Sequence, residues 1–412
     1  MSGSDTPAMK ELFDLLRYFH SRNIAQPLSV LNTENVPNNG DTIQKHMVTL
    51  SSGDSELTSF LSTTVTFHNS MVDRIVSQRD GNSLIPRCEP IPSKAICIQD
   101  ESRKLAYLIK DIPTKFGIHG RSSREALQLD ISLKLRIANG THTAIAHALA
   151  LNSLIMTNDA LSPQAEKSLI FMNYLESLVQ DQIIAAVKEQ DRAEAISTWE
   201  DWKRRLQHPK FGLSTFFITQ NGPMKGGIRW GPTVVDLVNA GQPLTVSLAF
   251  AYAVLLRWLT PATEKQDPFI GRLEGFDRVD VSDISPAVDY ASGLQYNLEQ
   301  GWYQFLCDCQ LEGGKNLSAS LRQLTLTPQQ PAAYSATIRA YLLSPNGGQL
   351  ESIVNSATID DLVNVVSTLY ARMVSGDRIL DIMNEITSNK GGFENGWSTD
   401  VKGLGDTASC GT

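Results

Sequence analysis

Apolar residues fall at helical spacing through most of the middle of the chain, and in strand-like runs only near its start. Between Met9 and Ser21, Leu12, Leu15, Leu16 and Phe19 mark one side of an amphipathic helix. Pro27-Leu-Ser-Val-Leu31 reads as a short strand, closed by the turn-rich Asn32-Thr-Glu-Asn-Val-Pro-Asn-Asn-Gly40. A helix is predicted from Thr42. Thr63-Thr-Val-Thr-Phe67, β-branched and aromatic, is a second strand, and Ala95-Ile-Cys-Ile98 a candidate third. Strand, helix, strand, with polar residues just after the strands, predicts an α/β sheet. Ligands of such sheets sit beyond the carboxyl ends of the strands.

From about residue 101 the pattern changes. Helical periodicity runs through Leu127 to Met156, Ser168 to Val187, Val234 to Leu259 and Ala287 to Leu306. Ser162-Pro163 reads as a helix start, with proline in the first turn. Pro331 to Leu343 and Thr358 to Glu385 are two further helical stretches. The expected organisation is an α/β region over 1–100, a mainly helical domain over 101–315, a helical extension over 316–387 and a disordered Gly/Ser-rich tail over 388–412.

Composition narrows the function classes. At 412 residues and 42% hydrophobic, the chain can bury two cores. The net charge of -8 and the lack of any Lys/Arg-rich run argue against nucleic acid as a partner. No stretch reaches the roughly 20 apolar residues that span a bilayer, and MSGSDTPAMKELF has no apolar signal core, so a cytoplasmic protein is expected. Five cysteines are few and unevenly placed. Cys307-Asp-Cys309 is not a zinc spacing, and no other His/Cys/Asp cluster suits a metal, so no metal and reduced thiols are expected. No G-x-G-x-x-G, phosphate-loop or G-x-S-x-G motif occurs.

One segment concentrates chemistry. Lys134, Asn139 and His142 stand within nine residues, among Leu133, Leu135, Ile137, Ala144, Ile145 and Ala146. On an α-helix, His142 lies about 80° round from Lys134 and Asn139 about 140°, so all three fit one broad face. A buried lysine is costly unless paired or able to lose its proton. The trio suits oxidation of a secondary alcohol. Lysine would be base towards the hydroxyl, asparagine a donor to the developing oxyanion, and histidine would orient the substrate. A cofactor must then accept the hydride. The residues alone leave an ordinary buried helix equally open.

Lys-Leu-Arg-Ile-Ala-Asn-Gly-Thr-His-Thr-Ala-Ile-Ala (134–146) resembles the signature helix of the mannitol dehydrogenase family, zinc-independent dehydrogenases of polyols and sugar acids. Glu34-Asn-Val-Pro-Asn-Asn-Gly40, His68-Asn-Ser-Met-Val-Asp-Arg-Ile75 and Asn221-Gly-Pro-Met-Lys-Gly-Gly-Ile-Arg-Trp230 resemble three further family motifs, in the same order. The resemblance implies Lys134 as general acid/base, with Asn139 and Asn35 holding the reacting oxygen and His142 orienting the substrate. It implies Arg229 and Lys225 on distal hydroxyls or a carboxylate, and Asp73 near the nicotinamide. Asn35 and Asp73 would thus also face the NAD or NADP cofactor. Asn39, Gly40 and Arg74 are expected to be structural.

The resemblance departs from the family at the cofactor. Only about 30 residues precede the Glu34–Gly40 turn, and the Gly-rich pyrophosphate loop is missing. The expected fold is therefore an α/β remnant, a partial Rossmann-like sheet holding the C-terminal half of a dinucleotide-binding domain, followed by a mannitol-dehydrogenase-type helical domain. Two functions follow. One is an oxidoreductase on a small-molecule polyol or ketose, with weak cofactor binding and a possible partner chain completing the cofactor domain. The other is a non-catalytic sugar-binding or regulatory descendant.

Overall fold

The computed structural model describes residues 6–388 apart from 25, 35, 78–86, 91, 106–108, 111, 113–115, 153, 155, 220, 261–293, 298–301, 306–308 and 326–329. The expected tail beyond 388 lies outside the described residues. Contacts divide the chain into two compact units, 1–134 and 135–412. This cut is one of packing; the expected boundary near residue 100 is one of motifs.

In the first unit, helix α1 (Pro7–Ser21) leads to strand β1 (Leu28–Leu31). Helices α2 (Asn39–Leu50) and α3 (Ser55–Thr63) follow, then β2 (Val65–His68). β1 and β2 pair in parallel, Leu28 opposite Val65 through Leu31 opposite His68. The strand–helix–strand reading therefore holds, with α3 unforeseen and the second strand starting two residues later than predicted. α3 is capped by Asp54, whose carboxylate accepts the Leu57 N–H. Met9, Leu16, Ile43, Met47, Leu57, Leu61, Val65 and Phe67 form one apolar cluster across these helices and strands. A second sheet starts one residue after β2. β3 (Ser70–Val72) runs antiparallel to β6 (Ile96–Gln99), which runs parallel to β7 (Ile118–Arg121). The two-residue strands β4 (Val76–Ser77) and β5 (Arg87–Cys88) form a small antiparallel pair. The predicted strand near Ala95–Ile98 is thus the middle strand of a mixed sheet. Helix α4 (Arg124–Leu133) packs on that sheet through Leu127 and Ile131.

The second unit is helical over most of its described length. A six-residue π-helical turn (Lys134–Asn139) joins α4 to α5 (Gly140–Leu151), so one unbroken helical run covers 124–151. Short α6 (Asn158–Leu161) precedes α7 (Ser168–Leu178), which passes into a second π-turn, Val179–Ile184. Then come α8 (Arg192–Leu206), α9 (Thr215–Thr219), α10 (Gly222–Asn239) and α11 (Val246–Leu259). The last four described α-helices are α12 (Leu317–Thr325), α13 (Pro331–Leu343), α14 (Ala357–Val374) and α15 (Ile379–Ser388). All twelve residues of α5 are buried, as is every residue of α11 from Ser247 to Leu259. A helix apolar on all sides belongs in a core. α11 fills that place here, packed by α5 and α14.

Four expectations change. Ala287–Leu306 is not one helix: β8 (Leu294–Asn297) and β9 (Trp302–Phe305) form an antiparallel pair. The aromatic residues of Leu-Gln-Tyr-Asn and Trp-Tyr-Gln-Phe favour strands, and short apolar runs read ambiguously by period. Ser162-Pro163 opens no helix: Ser162 is extended, turns occupy 163–167, and α7 begins at Ser168. Val234–Leu259 is two helices, broken where Gly241 turns at φ 65° and Pro243 follows. Thr358–Glu385 is likewise broken, at Gly376 with φ 106°.

Candidate functional site

The 32–40 turn and the 68–75 segment are one construction. Asn38 is left-handed at φ 48°, which asparagine tolerates. Asn39, 1% exposed, follows with both ends of its amide engaged. Its Oδ1 accepts the N–H groups of Gly40 (2.9 Å) and Ser70 (2.8 Å). Its Nδ2 reaches the carbonyls of Glu34 (2.9 Å), Asn32 (3.2 Å) and Ser70 (3.2 Å). The Ser70 hydroxyl also donates to the Asn32 carbonyl. From the other segment, Asn69 Oδ1 accepts the Gly40 and Asp41 N–H groups at 2.9 and 3.1 Å. A Cβ on Gly40 would stand 2.4 Å from the His68 carbonyl carbon, so only glycine allows this approach. His68 is buried, with Nδ1 at the Gln99 carbonyl (2.8 Å) and Nε2 at Ser29 Oγ (3.1 Å). The structural reading of Asn39 and Gly40 holds. Asn35 lies outside the described residues. Asp73 is buried at the end of β3, its N–H on the Ala95 carbonyl at 2.9 Å.

Asp130 on α4 takes Lys94 (2.5 Å) and Arg121 (2.5 Å). Burial pushes the Asp130 carboxyl up, but bonds from Arg121 and Lys94 outweigh this and hold it below the usual range. The neighbouring Cys97 thiol is pushed up to about 12 by burial, reinforced by Asp130. These groups explain the packing of α4 and leave Cys97 an inert thiol.

Lys134, 9% exposed, closes α4, its N–H bonded to the Asp130 and Ile131 carbonyls. Asn139 ends the π-turn and His142 follows in the first turn of α5. A π-turn bonds i to i+5 and winds more residues into each turn than an α-helix. Position 139 is therefore brought further round towards 134 than the 140° expected from α-helical winding. The three residues do lie on one helical run, as predicted.

Around Asn139 and His142 the second unit places the other two predicted residues. Arg229 on α10 donates through Nη1 to the Asn139 carbonyl (3.1 Å) and to the Thr143 hydroxyl. Among the described residues no carboxylate pairs with Arg229, and burial pulls its pKa down to about 10. Lys225, one turn earlier, donates to the Ile218 carbonyl at 2.8 Å. His142 is 6% exposed and its Nε2 is buried without a hydrogen-bond partner. Burial first, then the charges of Arg229, Lys225 and Arg205, pull its pKa down to about 3. The ring is thus neutral at physiological pH, one nitrogen a donor and the other an acceptor. His147, the expected core histidine, is fully buried with Nδ1 at the Thr143 carbonyl (2.7 Å) and Nε2 unpartnered beside Gly222.

Residues 5–102 match the family model of the mannitol dehydrogenase Rossmann domain. That stretch is thus similar to the Rossmann domain of the mannitol dehydrogenase family. Over 208 residues it is 22% identical to the uncharacterized oxidoreductase YeiQ of Escherichia coli (strain K12), an alignment covering 48% of this chain and 41% of that protein. Its fold is similar to that of Pseudomonas fluorescens mannitol 2-dehydrogenase, solved as a ternary complex with NAD and D-mannitol. That match has a TM-score of 0.55 at 14% identity and covers 92% of this chain and 66% of the other. A D-sorbitol dehydrogenase solved in substrate-free form gives a TM-score of 0.45 at 18% identity, over 62% and 52% of the two chains. The match to each relative spans less than two thirds of its length. The matched residues 5–102 include the latched turn that ends at Gly40, and the described residues after them are mainly helical. Among the described residues no helix is long and apolar enough to cross a membrane, and no cluster of His, Cys, Asp and Glu suits a metal.

Sequence reading missed the side chains that surround the helix. Trp202 on α8, and Thr141 and Thr143 on α5, contact candidate residues or the π-turn, and Arg205 stacks on Trp202. The spacing Trp199, Trp202, Arg205, Leu206 was the available signal, since three and four residues apart is one helix face.

Proposed function

We propose that the chain carries the acid/base and substrate-binding machinery of a nicotinamide-dependent dehydrogenase acting on a secondary alcohol of a polyol or sugar acid. The observation that carries this reading is the helical run 124–151. It puts a lysine at 9% exposure and an asparagine at the two ends of a π-turn, then a histidine with a buried, unpartnered nitrogen. π-turns inside α-helices occur frequently at functional sites. In this reading Lys134 accepts the hydroxyl proton as the amine and returns it as the ammonium. Asn139 and Asn35 donate to the oxygen as charge develops. His142, neutral, bonds a hydroxyl through Nε2, and Arg229 and Lys225 bind the distal end of the substrate.

The residues present fit one end of a dinucleotide. The latched turn after β1 and Asp73 after β3 stand at strand carboxyl ends, where open α/β sheets take ligands. Asp73 would face a bound NAD or NADP there, the role that the sequence resemblance also gives Asn35. The nicotinamide supplies hydride acceptance, which no side chain can. No Gly-rich loop in the sequence offers the pyrophosphate its usual amide cradle. The second reading is a cofactor sheet completed by a partner chain, or a non-catalytic sugar-binding descendant. The test is steady-state hydride transfer with NAD(H) and NADP(H) on mannitol, sorbitol and their ketoses, and on uronates, for wild type and Asn139→Ala. The proposal expects turnover that falls at least 100-fold in Asn139→Ala. Sugar binding without turnover would establish the descendant reading.

A further inference from the structure

Side chains bond the backbone of the π-turn and of the helix start that follows it. Thr141 Oγ1 donates to the Ile137 carbonyl at 2.6 Å. Trp202 Nε1, from α8, donates to that same Thr141 oxygen at 2.9 Å. Thr143 Oγ1 donates to the Asn139 carbonyl at 2.9 Å, and Trp230 Nε1 donates to the Gly140 carbonyl at 3.0 Å. Trp202 and Thr141 are both 0% exposed. The Trp202 ring also meets the His142 ring edge-on, centroids 5.5 Å apart at 65°. Arg205 stacks on the indole at 4.8 Å and pairs with Asp201 at 3.1 Å.

We infer that Trp202 is a positioning residue for the candidate site, acting through Thr141 on the π-turn and through its ring on His142. One indole therefore fixes two things. Its N–H polarises the threonine hydroxyl that holds the Ile137 carbonyl, and hydrogen bonds in such a chain strengthen one another in a dry interior. Its ring edge sets the plane of a histidine whose Nε2 has no other partner to orient it. Arg205, held by Asp201, keeps the indole from turning. A tryptophan serving the core alone needs no such relay. Nothing in apolar packing asks for a threonine between the indole and a carbonyl in the non-α-helical turn.

The inference rests on the reading of Asn139 and His142 as site residues, but its first readout needs no turnover. In the full chain labelled with ¹³C,¹⁵N-histidine, the His142 ring signals are assigned by their loss in His142→Gln. Thr141→Val removes the hydroxyl and leaves the indole in place. Thr141→Ser keeps the hydroxyl. Trp202→Phe removes the N–H and part of the ring. Thr141→Val and Trp202→Phe are expected to shift the His142 signals, and Thr141→Ser to leave them near wild type. The losses in Tm of Thr141→Val and Trp202→Phe should be less than additive in the double variant, because they break one relay. With turnover, kcat should fall about tenfold in Thr141→Val while KM changes less than twofold, since the turn is displaced and the distal contacts stay. His142 signals that stay fixed in Thr141→Val despite a lower Tm would reduce the relay to core packing and overturn the inference. Shifted signals in a chain inactive on every alcohol would leave the positioning intact and reject the dehydrogenase reading instead.

Discussion

At the turn of the first unit, Asn39 and Asn69 have both ends of their amides bonded, mostly to backbone, so their polarity holds the chain in place. On α5 the polarity is differently disposed. His142 keeps a buried nitrogen unpartnered, and Arg229 uses one nitrogen on a carbonyl and a hydroxyl while no described carboxylate faces it. Buried polar groups are normally satisfied, and an exception asks for an explanation. The saturated network is structural; the unsaturated one is where a ligand can still gain bonds. Two sets of asparagine, histidine and arginine residues therefore mean different things, and only their bonding tells them apart.

The largest expected effect breaks the saturated side. Asn39→Ala orphans the buried Ser70 N–H and leaves the Gly40 N–H to Asn69 alone. At roughly 1–3 kcal/mol for an orphaned buried group, the loss should be about 2–3 kcal/mol. Urea unfolding of the variant should show it. Gly40→Ala should cost about 1–3 kcal/mol by forcing backbone apart at His68. A loss under about 1 kcal/mol in both would mean the turn is not the latch described.

This latch was legible as punctuation and illegible as bonding. Asn38-Asn39-Gly40 announces a turn, and Gly40 a close approach. Yet nothing in the spacing says that residue 39 reaches residue 70, since 31 positions separate them. The helical run at 124–151 was legible from its period, as were α1 and α13. The π-turn was not: one extra residue per turn hardly alters the spacing of apolar positions. β8 and β9 were misread because four residues are too few to fix a period. Trp202 was missed because its partner Thr141 is 61 residues away.

The next effect concerns the cofactor. With no Gly-rich loop, NAD(H) should bind this chain at least 100-fold more weakly than a micromolar dissociation constant, about 2.7 kcal/mol less favourably. Titration calorimetry measures it directly. Micromolar or tighter binding would reveal a phosphate site other than the usual loop.

A smaller effect sharpens the unsaturated side. His142 and His147 both have folded pKa values pulled from 6.5 to about 3, by burial first. Between those values the unfolded chain binds a proton at each that the folded chain does not. Stability should therefore fall as pH drops from about 6.5 towards 3, by up to about 1.4 kcal/mol per pH unit per histidine. Above pH 7 neither contributes a slope. His142→Gln should flatten the acid limb by one such contribution in a pH series of urea midpoints. An unchanged slope would mean that His142 is charged in the folded chain or reaches water.

The central claim is that Lys134 moves the proton in the reaction of this helix. The measurement is the pH dependence of polyol oxidation and ketose reduction, in wild type, Lys134→Ala and Lys134→Arg, with a partner chain present if cofactor binding requires one. Oxidation needs the amine and should rise with pH; reduction needs the ammonium and should fall over the same range. Lys134→Ala should lose about 10²–10⁴-fold of turnover in both directions, with KM changed far less. Lys134→Arg should not rescue, because a guanidinium stays charged. Near-wild-type turnover of Lys134→Ala in both directions, or opposing pH profiles that survive the substitution, would contradict the account.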